Sequence, residues 1–106
     1  MWSRTRPAGS TTWTPITFIS STSTTYQPAL AVRPSGAAYV IWTDLNSALW
    51  GERYDPASGW QGQSQITSSG SHYTPVVALD TANAVVVAAD YNGSTYDLGA
   101  YIVSVP

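Results

Sequence analysis

The segment Tyr26-Gln27-Pro28-Ala29-Leu30-Ala31-Val32 returns 47 residues later as Tyr73-Thr74-Pro75-Val76-Val77-Ala78-Leu79. Each copy opens Tyr-x-Pro and runs into small or aliphatic residues. The same spacing joins Trp13 to Trp60, Ile19 to Ile66, Pro28 to Pro75, Ala31 to Ala78 and Tyr54 to Tyr101. A period of this length confines the chain to architectures in which one supersecondary unit is stacked on copies of itself, because a single unit cannot bury its own apolar faces.

The content of the unit is strand and turn. Pro28 to Val32 reads as a strand that stops at Arg33-Pro34-Ser35-Gly36, a tetrapeptide suited to a type I turn. Asp80-Thr81-Ala82-Asn83 stands at the same place in the second copy. Ala37 to Trp42 and Ala84 to Ala89 then follow as second strands. Neither alternates apolar with polar, so each is expected to be buried on both faces, as in a sheet sandwiched between neighbours. Asp44-Leu45-Asn46-Ser47 and Asp90-Tyr91-Asn92-Gly93-Ser94 make the next bends, and third strands are expected over Ala48 to Tyr54 and Tyr96 to Val103. Asp55-Pro56-Ala57-Ser58-Gly59-Trp60 turns into a fourth strand near Gln63 to Ile66. Before the first full unit stand a short strand over Trp2 to Arg6 and another over Pro15 to Ile19, and the polar run Ser20 to Thr25 is a connection. No stretch carries helical periodicity with caps.

These elements define an all-β chain of β-propeller type, with about two four-stranded blades. Residues 13–59 form the first repeat, residues 60–106 a second repeat without its outer strand, and residues 1–12 part of a preceding blade. Two blades do not make a ring. The expected partner is therefore the chain itself, a homo-oligomer in which a six-bladed trimer is favoured over a four-bladed dimer. Pro15 to Ile19 of one copy would pair with Tyr96 to Val103 of the next, leaving Trp2 to Arg6 surplus, frayed or lying over the interface.

Several motifs resemble bacterial sialidase-like β-propeller repeats. They are the Pro28-Ala29-Leu30-Ala31-Val32 strand, the Pro34-Ser35-Gly36 turn, Ala38-Tyr39-Val40-Ile41-Trp42-Thr43-Asp44, and the closing Arg53-Tyr54-Asp55-Pro56-Ala57-Ser58-Gly59-Trp60. The resemblance spans residues 13 to 103. The sialidase Asp-box, Ser/Thr-x-Asp-x-Gly-x-x-Trp, is not reproduced, since Val32, Pro34 and Tyr39 stand in its places around Gly36. In architecture the chain also resembles the small two-blade bacterial lectins that trimerise, which implies a lectin-like, carbohydrate-binding function rather than an enzyme.

Composition narrows function further. Charged residues make up 9% of the chain, lysine is absent and the net charge is −2, so no basic footprint for nucleic acid exists. No cysteine is present, and with it no disulfide or thiolate chemistry. No apolar run is long enough to span a bilayer, and the first residues lack the apolar core of a signal peptide. The chain is expected to be soluble, with no compartment assigned. His72 is the lone histidine and is expected in a solvated connection. Asp44/Asn46 and Asp90/Asn92 do not complete a calcium loop. The carboxylates Asp44, Asp55, Asp80 and Asp90 fall in bends, where aspartate caps backbone amides. No catalytic residue, metal or cofactor is therefore assigned, and a sialidase-like hydrolase ranks last.

The aromatic residues carry the binding expectation. Five tryptophans and seven tyrosines are present, and a flat ring against the apolar face of a pyranose is the usual contact with sugar. Trp50, Glu52, Arg53, Tyr54 and Trp60 are the candidate ligand residues, combining rings with charged groups for hydroxyls. Trp42 is expected in the core. Trp42, Trp50 and Trp60 as wedges between blades, in a scaffold with no ligand, is the competing expectation.

Overall fold

A computed structural model describes residues 1–19, 25–68 and 70–105. The expected connection from Ser20 to Thr25 lies, apart from Thr25, outside the described residues. The strands are β1 (Trp2–Ser3), β2 (Thr17–Phe18), β3 (Tyr26–Val32), β4 (Ala38–Thr43), β5 (Leu49–Asp55), β6 (Gly59–Gln65), β7 (His72–Leu79), β8 (Asn83–Tyr91) and β9 (Tyr96–Ser104). They form three antiparallel sheets: a ribbon β1-β2, a first sheet β3-β4-β5-β6 and a second sheet β7-β8-β9. No helix occurs among the described residues. The chain is all-β.

The two larger sheets repeat each other in register, not only in sequence. Leu30 sits opposite Val40 as Val77 sits opposite Val86. Val40 in turn sits opposite Glu52 as Val86 sits opposite Tyr101. Both inner strands carry a bulge just after the tyrosine, between Tyr26 and Ala29 and between Tyr73 and Val76. At each bulge the residue before proline adopts left-handed backbone, Gln27 at φ 51° and Thr74 at φ 47°. The two irregular sites are joined, because the Thr74 amide donates to Gln27 Oε1 at 2.7 Å. A strained conformation kept at the same place in both sheets marks a structural feature of the unit rather than an accident of sequence.

The turns explain where the sequence spacing drifts. Arg33 donates its amide to Ala37 O, whereas Asp80 donates to Asn83 O, a turn shorter by one residue. The spacing between equivalent residues of β4 and β8 is therefore 46, as in Val40 and Val86. The longer hairpin after β8 then raises it to 49 in the third strands, as in Glu52 and Tyr101. The sequence match of Tyr54 to Tyr101 consequently does not reflect equivalent positions. Tyr54, opposite Ala38, corresponds to Val103, opposite Ala84.

The sheets stack face to face. Tyr39, Ile41 and Leu49 of the first sheet meet Ala84, Val86 and Ala88 of the second in one buried cluster. On the other face of the first sheet, Val40 and Trp42 form a cluster with Ile19, against which Met1, Trp50 and Trp60 pack. Every residue of β4 is buried as a result, which accounts for its lack of apolar–polar alternation. The double burial expected of Ala84 to Ala89 is not met, because β8 has a neighbouring sheet on one face only and Val85 on the other is exposed. Trp42 is core, as its sequence context implies.

The ribbon occupies the place of a preceding sheet. Ile19 donates its amide to Met1 O at 3.0 Å, as Ile66 donates to Leu49 O at 2.8 Å. Trp2 pairs with Phe18 and Ser3 with Thr17. In the single chain Trp2–Ser3 is thus the strand that β2 pairs with. The fourth strand begins at Gly59, ahead of the expected Gln63, because Gly59 already pairs with Asp55 across the tight turn.

Gly51 is fixed by packing. A Cβ built on it would overlap the Tyr39 hydroxyl and lie 2.6 Å from the ring Cζ. Since Tyr39 is in the inter-sheet core, the ring has no free direction to yield. Gly51→Ala is expected to destabilise the fold by about 1–3 kcal/mol, the usual cost of overpacking a core, read from chemical denaturation. Combining it with Tyr39→Leu should recover part of that loss, whereas additive losses would show that the two residues do not meet.

Candidate functional site

Side chains alternate along a strand, so the contiguous segment Trp50 to Tyr54 is divided between two faces. Trp50, Glu52 and Tyr54 lie with Trp42 and Val40 on the face turned towards the ribbon, because these are their partners in register. Trp60, opposite Tyr54 on β6, joins them. Arg53 lies on the other face, opposite Tyr39. Its guanidinium Nη2 donates to Asp55 Oδ2 at 3.2 Å. Of the five sequence candidates, the structure therefore brings four together and places Arg53 apart from them.

The four are not equivalent. Trp50 donates its indole N–H to Asp44 Oδ2 at 2.9 Å and packs on the Val40–Trp42 cluster. It acts as a wedge. Tyr54 and Trp60 meet edge to face at 5.2 Å between ring centroids. Trp60 donates its indole N–H to Ser3 Oγ at 2.8 Å, which ties the ribbon to β6. Between ribbon and sheet a cleft of about 550 Å³ remains, lined by Thr5, Thr14, Thr17 and Phe18 on one wall and by Glu52, Tyr54, Trp60 and Gly62 among others on the opposite wall.

Glu52 is the distinctive member. It is 4% exposed, yet it borders the cleft. Its Oε1 accepts a hydrogen bond of 2.9 Å from the Gly62 amide. That amide is available because β6 bulges there: Glu52 pairs with Gln63 and Tyr54 with Trp60, leaving two residues opposite Arg53. Gly62 takes φ 100° at the bulge, a conformation suited to glycine. Burial pushes the Glu52 carboxyl above its ordinary pKa, and the Gly62 hydrogen bond only partly offsets this. The repeat does not require an acid here. The equivalent residue in the second sheet is Tyr101, and the equivalent cleft, between β6 and β9, is lined by Tyr101 and no carboxylate among the described residues.

The other carboxylates are committed. Asp44 Oδ1 accepts from the Asn46 and Ala48 amides at 2.8 and 3.0 Å. Burial alone would raise Asp44, but these bonds and that from Trp50 outweigh it and leave the carboxyl below its usual range. Asp55 caps Ala57 and Ser58, and Asp80 caps Ala82 and Asn83. Asp90 is a correction to the bend assignment: it lies in β8, with His72 Nδ1 2.6 Å from its Oδ1 and the Tyr101 hydroxyl donating to its Oδ2. Burial, with the Asp90 carboxylate, pushes Tyr101 up to about 12. His72 is accordingly a strand residue packed on Tyr101, not a solvated connection. No group of three or more metal-ligating side chains forms among the described residues.

Comparison with protein-family models, with curated proteins and with solved structures returns no match.

The threonine and serine hydroxyls of the ribbon escape sequence reasoning, since nothing local connects residues 3 to 17 with β6. One signal did exist. The Ile19–Ile66 correspondence implies that the segment before Ile19 sits on the first sheet as Ile66 sits on the second.

The raised Glu52 pKa has a sign that can be tested. The folded protein holds this proton more tightly than the unfolded chain does, so the stability it contributes is full below the ordinary glutamate range. That contribution is lost as pH rises through the higher folded pKa. Glu52→Gln keeps an acceptor for the Gly62 amide and removes the titration. Denaturation across pH 3 to 8 should find the variant gaining on the wild type as pH rises; a constant difference would show that Glu52 does not titrate under strain.

Proposed function

We propose that this chain is a non-catalytic binding module of the β-propeller type, its stacked sheets serving as blades, with a carbohydrate as ligand in the cleft between ribbon and β6. The observation that carries this is Glu52: a buried carboxylate, not demanded by the repeat, at the edge of a cleft that is also lined by three aromatic residues and three threonines. Burying such a group is costly unless it is hydrogen-bonded, and Gly62 supplies one partner. The carboxylate keeps further acceptor capacity for ligand hydroxyls, while Tyr54 and Trp60 offer the apolar surface that a pyranose stacks against. The resemblance of the strand and turn motifs to sialidase-like repeats agrees with this ligand class.

Hydrolysis is disfavoured on chemical grounds. Glycosidases use two carboxyl groups across the scissile bond, and among the described residues lining the cleft Glu52 is the single carboxylate. None of the four arginines of the chain lines the cleft either. A scaffold without ligand is the second reading, favoured by the apolar end faces of the stack.

A glycan array followed by calorimetry tests the proposal. A glycan that binds the wild type should lose about tenfold or more in affinity in Glu52→Gln, the scale of a hydrogen bond to a charged acceptor. Arg53→Ala should bind as the wild type does. No glycan above background would favour the scaffold, and equal losses in both variants would move the site away from this cleft.

A further inference from the structure

The first sheet turns one face to the ribbon before it and the other to the second sheet after it. Val77 and Leu79 of β7 face the first sheet and pack on its core. Their register equivalents Leu30 and Val32 face the ribbon side. There the ribbon supplies only two short strands, and Leu30 and Val32 stand 59% and 60% exposed. The opposite end of the stack has the complementary defect. Tyr39 and Leu49, facing the second sheet, are 3% and 0% exposed. Their equivalents Val85 and Leu98 lie on the outer face of the second sheet with Val76 and Ile102, where Leu98 reaches 83% and Ile102 75% exposure. Isolated exposed apolar residues need no explanation, but a continuous apolar sheet face does.

We propose that the occupant of each end face is a second copy of this chain, stacked head to tail, so that the outer face of one copy's second sheet covers Leu30 and Val32 of the next. The argument is equivalence: the face left bare at one end is the counterpart of a face that the chain itself covers with a sheet, and the bare residues at the other end are counterparts of the ones doing the covering. In this arrangement β9 of one copy arrives at the place that β1 holds on the next. With nine residues against two, β9 displaces β1 and pairs with β2, closing its open edge. This inference rests on the stacking and is independent of what the cleft binds.

A head-to-tail contact joins two different patches, unlike a two-fold contact, which joins one patch to itself. Sedimentation and light scattering of the full chain should find an oligomer. Leu30→Glu and Ile102→Glu, at exposed positions that leave the single copy folded by circular dichroism, should each reduce it to monomer. Mixing the two variants should restore one contact per pair and give a dimer and nothing larger. Deleting residues 1–6 should leave wild-type assembly in place. A wild type that is monomeric at tens of micromolar overturns the proposal, as does a Leu30→Glu variant that assembles like the wild type. Loss of assembly in the deletion overturns the strand exchange.

Discussion

A strand that is apolar on both sides must be covered on both sides. β4 is such a strand, and every residue of it is buried. At about 25 cal/mol per Å² of apolar surface withdrawn from water, this requirement outweighs any local preference. It draws the second sheet onto Tyr39 and Ile41, and it draws Ile19 and Met1 of the ribbon onto Val40 and Trp42. The rest of the molecule follows from these two coverings. The ribbon is too small to cover its whole face, so a cleft stays open beside β6. Among the described residues nothing covers the outer face of the second sheet, where Leu98 and Ile102 are exposed.

The repeat makes functional residues easier to recognise, because it supplies an internal control. Asp44 and Asp90 occur at corresponding places and are absorbed by tryptophan, tyrosine, histidine and backbone donors. Each of these carboxylates ties together neighbouring parts of its own sheet. Glu52 has no acidic counterpart, and its role in packing is filled in the other sheet by Tyr101. A bulge and a left-handed glycine are built into β6 at the point where its carboxylate needs a donor. The bulge gives a donor to a buried carboxyl at the mouth of the cleft, whose burial raises its pKa.

Much of the fold was legible because local chemistry and period agreed. The Tyr-x-Pro strands, the Arg33–Gly36 turn and the doubly apolar second strands all appear at or within a residue or two of their expected places. The third-strand alignment was not legible, since hairpin length shifted the register and Tyr54 and Tyr101 matched by coincidence. The site was half legible. Trp50 to Tyr54 looks like one cluster in sequence, yet a period of two sends Arg53 to the far face, where Asp55 holds it. The placing of Thr5, Thr14 and Thr17 on the cleft is a long-range consequence of stacking, the meeting of His72 with Asp90 comes from the pairing of β7 with β8, and no short motif announces either.

Both the cleft and the account of the end faces depend on the ribbon being docked as a sheet of the stack. Amide hydrogen exchange at Ile19 measures this most directly, with Ile66, its counterpart on the first sheet, as the internal reference. Docking predicts slow exchange at both amides, each bonded to a carbonyl of the neighbouring strand and shielded by an apolar cluster. Exchange at Ile19 at the rate of an unstructured peptide, with Ile66 still protected, would contradict it.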